Sequence, residues 1–185
     1  MSIELEGFLL VAQFSPVDSL RIAYVASDGD TQRLFVKELC APEEVQAPDE
    51  EMQDIDYDNK GKPHTVVLAQ IDVGGRELHV RKMMWPSEDE IILMKRNAVE
   101  YYEVDINSWK IELKSTIKLS EHDIGSDGAF TALLLGERLI LGTEEGELLE
   151  FRGKKLVRRA CVAEGACIAD IKHIDQLFVM ATGEG

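Results

Sequence analysis

Apolar residues along this chain fall in short runs of four to six, rich in Val, Ile, Leu, Tyr and Phe, each closed by turn residues. That is the pattern of β-strands, and a helical period of 3.6 is hard to find anywhere. The runs are Gly7 to Phe14, Leu20 to Ala26, Arg33 to Leu39, His64 to Ile71, Leu78 to Trp85, Glu90 to Met94 and Val99 to Val104. They continue as Ile111 to Leu119, Ala129 to Leu135, Arg138 to Leu141, Glu147 to Phe151, Leu156 to Val162, Cys167 to Lys172 and Gln176 to Ala181. Many short strands separated by frequent turns predict an all-β sandwich, barrel or propeller.

Internal repetition decides among these. Glu90 to Val104 laid over Glu137 to Phe151 gives an ungapped match of apolar and acidic positions, 47 residues apart, each a strand, a four-residue turn and a strand. The pattern begins again at Phe178-Val-Met-Ala-Thr-Gly-Glu-Gly185, 39 residues after Leu139 to Gly146. Leu20 to Ala26 with Leu34 to Leu39 makes a further copy around a longer turn. Repeats of about 40 to 50 residues with four strands each are the signature of propeller blades. One twisted four-stranded sheet has two faces to cover, and radially stacked neighbours cover both. The expected fold is a partial WD40-like β-propeller over residues 1–185, with about three and a half four-stranded blades. Leu78 to Trp85 and Ala129 to Leu134 would be innermost strands, Ile111 to Leu119 and Leu156 to Val162 outermost. Gly185 falls mid-hairpin, so the chain is expected to be a fragment or to be completed by a partner, with an open sheet edge if left alone.

Charge modifies this picture in one place. Eight acids and no Lys or Arg lie between positions 43 and 58, together with Pro48 and few apolar residues. Such a segment cannot bury enough surface to offset its ordering entropy, so residues 41–62 read as an acidic disordered insertion within the first blade. The whole chain of 185 residues carries a net charge of −15. That balance argues against nucleic acid as a partner. The absence of an apolar run of about 20 residues argues against membrane insertion, and the Met1 to Glu6 start lacks a signal peptide's basic residues. Three cysteines, Cys40, Cys161 and Cys167, suit a reducing, cytoplasmic setting.

Candidate chemistry is sparse. Asp54-Ile-Asp56-Tyr-Asp58-Asn59-Lys60-Gly61 begins like a calcium loop, but Asn59 stands where the turn glycine is needed and Thr65 where the bidentate glutamate is needed. His64, His79, His122 and His173 are scattered singly, and Cys161 with Cys167 forms no CxxC, so no zinc set converges. Gly74-Gly75 reads as a hairpin turn, not a phosphate loop. Trp85, Tyr101, Tyr102 and Trp109 read as packing aromatics before recognition ones. An axial ligand site would need polar side chains from several innermost strands, and the two innermost runs read as apolar. No catalytic, cofactor-binding or metal-binding residue is assigned, and the protein is not expected to be an enzyme. The one cluster that stands out is basic: Arg152, Lys154, Lys155, Arg158 and Arg159. At the outer hairpin of the third blade it either guards an edge against strand addition or docks an acidic partner segment.

Phe14-Ser-Pro16 after a strand, the hairpin Leu141-Gly-Thr-Glu-Glu-Gly146 with Leu148-Leu-Glu-Phe151, and the Ala181-Thr-Gly-Glu-Gly185 ending resemble blades of the WD-repeat superfamily. The blades are degenerate. No Gly-His opens one and no Trp-Asp closes one; Phe35-Val36, Tyr102-Glu103 and Glu150-Phe151 stand at the closing position. The stretch 78–185 is most similar to the cilia- and flagella-associated WD-repeat proteins. That resemblance implies a non-catalytic scaffold of the ciliary axoneme, tethering dynein or regulatory complexes, with a propeller subunit of a vesicle-coat or tethering complex as the alternative. Its implied partners are other proteins in a large assembly, and the remaining blades from the same or another chain.

Overall fold

A computed structural model describes residues 7–40, 64–75, 79–105, 107–124 and 128–184. The acidic segment expected over 41–62, with its calcium-like stretch, lies outside the described residues. Among the described residues fourteen strands run in chain order: β1 (Phe8–Phe14), β2 (Arg21–Ser27), β3 (Thr31–Cys40), β4 (His64–Gly75), β5 (Val80–Ser87), β6 (Glu90–Lys95) and β7 (Ala98–Asp105). Then come β8 (Lys110–Lys118), β9 (Ala129–Leu135), β10 (Arg138–Thr143), β11 (Glu147–Arg152), β12 (Lys155–Cys161), β13 (Ala166–Ile174) and β14 (Leu177–Glu184). A 3-10 turn, Leu119–His122, follows β8. Each strand falls on one of the fourteen apolar runs.

The strands form three four-stranded antiparallel sheets, β1-β2-β3-β4, β5-β6-β7-β8 and β9-β10-β11-β12, and a two-stranded sheet of β13 and β14. Within each sheet every strand pairs with its neighbour in sequence. The first strands touch in succession, β1 against β5, β5 against β9 and β9 against β13. The sheets therefore stack face to face, each with its first strand on the same side of the stack.

Stacking explains why the second strands read as unbroken apolar runs. Ile22 to Ala26 in β2, Ile91 to Met94 in β6 and Leu139 to Leu141 in β10 are all buried, because both faces of these strands are covered. Alternate residues face different neighbours. Ile91 and Leu93 join Ala23, Val25, Leu34 and Val36 in a core between the first and second sheets. Ile92 and Met94 join Leu139, Leu141, Leu149 and Phe151 between the second and third. Ile140 packs with Ile168 and Ile171 of β13. Each fully buried Leu or Ile contributes about 1.5–3 kcal/mol, so these interfaces carry the fold. Of the fourth strands, β12 has no buried residue, whereas β4 buries Ala69 and Val73 and β8 buries Ile111 and Ile117.

Two expectations need correction. Leu139 and Leu141 occupy the face that Ile91 and Leu93 occupy one sheet earlier, which makes the structural offset 48 residues, not 47. In β7 and β11 it becomes 49, since Ile91 pairs with Tyr102 and Leu139 with Phe151. A run that is apolar on both faces carries no face information, and a one-residue slip exchanges the faces unnoticed. Gly74-Gly75 is not a hairpin turn but the end of β4, paired to Gln32 and Thr31. The chain then crosses to the next sheet. Gln32, fully buried, holds that crossing: its Nε2 donates to the Gly75 carbonyl at 3.2 Å, and its Oε1 accepts from the Val80 amide at 3.2 Å.

Candidate interaction surface

Polar side chains clamp the stack where sheets meet. The Arg21 guanidinium reaches Glu88 at 2.9 Å and lies 4.9 Å from the Trp109 ring, tying β2 to the second sheet. Lys95, buried in β6, donates through Nζ to the Val73 carbonyl of β4 and pairs with Glu100 at 2.6 Å. Tyr102 donates its hydroxyl to the same Glu100 carboxylate. Burial, and then that contact with Glu100, holds the Tyr102 phenol far above its ordinary pKa. Trp85 and Tyr102 are core residues, and Trp109 packs against the same core.

A second network lies along the first strands, where the sequence reading expected only apolar residues. Arg81 of β5 donates to the Ala129 carbonyl at 2.8 Å and pairs with Glu144 at 2.6 Å. Lys82 donates to Thr131 Oγ1 of β9 at 3.3 Å and stands 3.7 Å from Asp170 of β13. Three first strands thus meet through charged groups. The apolar neighbours Met83 and Trp85 masked Arg81 and Lys82 in the sequence, because no spacing rule reveals that they turn toward another sheet. Among the described residues, no group of three or more His, Cys, Asp or Glu side chains is placed to hold a metal ion.

The basic cluster sits on the β11–β12 hairpin and divides three ways. Arg152, Lys154 and Lys155 are exposed at its turn. In β12 Arg158 stands opposite Glu150 and Arg159 opposite Leu149, and strand alternation sends the two arginines to different faces. Arg159 makes two bonds to the Glu147 carboxylate, at 2.9 and 2.8 Å, and a longer one to the Asp123 carbonyl at 3.3 Å. The Glu147 hydrogen bond raises its already high pKa further. Arg159 therefore ties β12 chiefly to β11 of its own sheet, and more weakly to the β8–β9 connection. Arg158 instead lines a cleft of about 220 Å³ with Arg138, Ile140, Leu148, Glu150, Val162 and Phe178. Among the described residues Arg158 has no ion-pair partner. Glu150 faces Arg138 at 3.7 Å and Arg152 at 3.9 Å.

The cleft lies beside the last sheet, which has two strands among the described residues. Each of the other sheets has a third strand beside its second; β14 is paired only with β13 among the described residues. Large apolar side chains are left in water around it: Ile174, Leu177 and Val179 are 54%, 70% and 50% exposed.

The fold defines an all-β protein of stacked antiparallel sheets, and among the described residues no helix is long and apolar enough to cross a membrane. No family model matches the chain, and no curated protein matches it. Among solved structures it is similar in fold to the computationally designed Ika8 protein, with 11% identity and a TM-score of 0.60 over 98% of this chain and 46% of that one. The chain thus spans about half the length of the designed structure it matches.

Proposed function

We propose that the chain is a sector of a WD40-like β-propeller that serves as a non-catalytic scaffold for protein–protein interaction. The observation that carries this reading is the stack itself: successive antiparallel sheets with their first strands in contact. Radial stacking continues until a ring closes or another sheet covers the end. Three of the five cluster cations, Lys154, Lys155 and Arg158, make no ion pair among the described residues, which suits recruitment of an acidic partner by charge.

The resemblance to cilia-associated WD-repeat proteins makes the axoneme the setting to examine first, with vesicle coats and tethers second. Affinity purification of the tagged protein from ciliated cells tests both. The reading expects a defined assembly in the axonemal fraction that dissociates when Lys154, Lys155 and Arg158 are changed to Glu. Recovery with coat or tether subunits would move the scaffold to the second setting. Recovery as a lone monomer at every salt concentration would overturn it.

A further inference from the structure

We propose that the turns at one end of the first two sheets form a docking platform for a basic, amphipathic segment of a partner protein, seated on Val17 and Leu20 and ringed by carboxylates. The surface is separate from the basic hairpin of the third sheet and takes a segment of opposite charge. It requires the stacking of the first two sheets and not the closure of a ring. Three connections meet there: residues 15–20 between β1 and β2, Glu88 and Asp89 between β5 and β6, and Asn107 to Trp109 between β7 and β8. Arg21 joins them, since its guanidinium reaches Glu88 and lies over the half-buried Trp109 ring.

The apolar part of the platform is held in place before any partner arrives. Val17 and Leu20 are 67% and 53% exposed. Ser15 Oγ accepts from the Val17 and Asp18 amides at 3.2 and 3.1 Å, Asp18 Oδ1 accepts from the Leu20 amide at 2.9 Å, and the Asp18 carbonyl accepts from the Arg21 amide at 3.0 Å. The loop thus fixes two large apolar side chains in water, where covering each would gain about 1.5–3 kcal/mol. A loop already ordered loses little entropy when a partner covers it, and exposed apolar side chains rimmed by polar ones mark an interaction surface.

Charge selects the occupant. Asp18, Glu38, Glu88, Asp89 and Asp105 stand at this end of the two sheets, and Arg21 is drawn to three of them: Asp18 at 3.5 Å, Glu38 at 3.9 Å and Glu88 at 2.9 Å. Lys110, opposite Asp105, is paired with Glu112. The Ser108 hydroxyl and the Asn107 amide hold the Asp105 carboxyl below the usual carboxylate range, so it stays charged. A negative rim within a chain of net charge −15 repels anionic segments and attracts lysine and arginine.

An amphipathic helical peptide of lysine and leucine serves as the probe, added to the full chain, with a glutamate and leucine peptide of the same order as its control. Expected are saturable binding of the lysine peptide alone by fluorescence anisotropy, and shifts of the Val17 and Leu20 methyl and Trp109 indole resonances. Changing Val17 and Leu20 together to Ser should weaken binding about tenfold. Asp89→Lys, at an exposed turn position, should weaken it as well, and neither change should move the melting temperature appreciably. The site is overturned by any of four results: no saturable binding at millimolar peptide; equal binding to the double-serine variant, as when cations merely coat an acidic chain; equal binding of the glutamate peptide; or a self-dimer through Val17 and Leu20 that excludes the peptide.

Discussion

Replacing Gly146 by alanine is expected to lower the free energy of unfolding by about 3 kcal/mol or more, read as a shift of the denaturant midpoint at constant slope. Two costs add. Gly146 has φ +84, where a side chain costs about 1–2 kcal/mol. Its Cβ would also stand 1.7 Å from the Ala163 carbonyl oxygen, a backbone atom fixed by its bond from the Ala166 amide at 2.9 Å. The Gly146 carbonyl in turn accepts from the Val162 and Ala163 amides at 2.9 and 3.1 Å, so the β10–β11 turn is latched to the β12–β13 connection. Overpacking a site that cannot yield costs a further 1–3 kcal/mol, roughly. Gly153 is the control. It has φ +55 in open space, so Gly153→Ala should cost only about 1–2 kcal/mol.

Lys95→Met should destabilise by about 3–5 kcal/mol, because it strands the largely buried Glu100 carboxylate with, among the described residues, the Tyr102 hydroxyl as its remaining side-chain partner. It also removes the donor to the Val73 carbonyl, one of the polar links between the first two sheets. Adding Glu100→Gln removes the orphaned charge. The double variant should therefore cost less than the sum of the singles by about 0.5–3 kcal/mol in a thermal or denaturant cycle. Strict additivity would mean that the two groups do not interact in solution.

Much of the architecture is legible in the sequence because strands buried on both faces must be apolar throughout and their turns must break the run. Leu139 to Leu141, Gly142 and Gly146 announce the β10–β11 hairpin in this way. Gly142 adds a packing reason: its missing Cβ leaves room for Ile168, whose Cγ2 would lie 2.7 Å from one. The same property hides register, since Ile91 and Ile92 differ in which sheet they face and not in chemistry. Long-range polar ties were also hidden. Gln32 across to Gly75 and Val80, or Arg81 across to Ala129 and Glu144, join residues tens of positions apart with no local signature. The basic cluster is visible as composition, but the partners that divide it, Glu147 for Arg159 and the cleft for Arg158, are not.

The face-to-face stack is tested most directly by nuclear Overhauser contacts from the methyl groups of two adjacent residues, Ile91 and Ile92. The stack predicts contacts from Ile91 to side chains of the first sheet, such as Val25 and Val36, and from Ile92 to Leu139 and Leu141 of the third, with no crossing between the two sets. If both isoleucines touched the same sheet, or one of them faced water, the β5–β8 sheet would not lie between two others and the account would be contradicted.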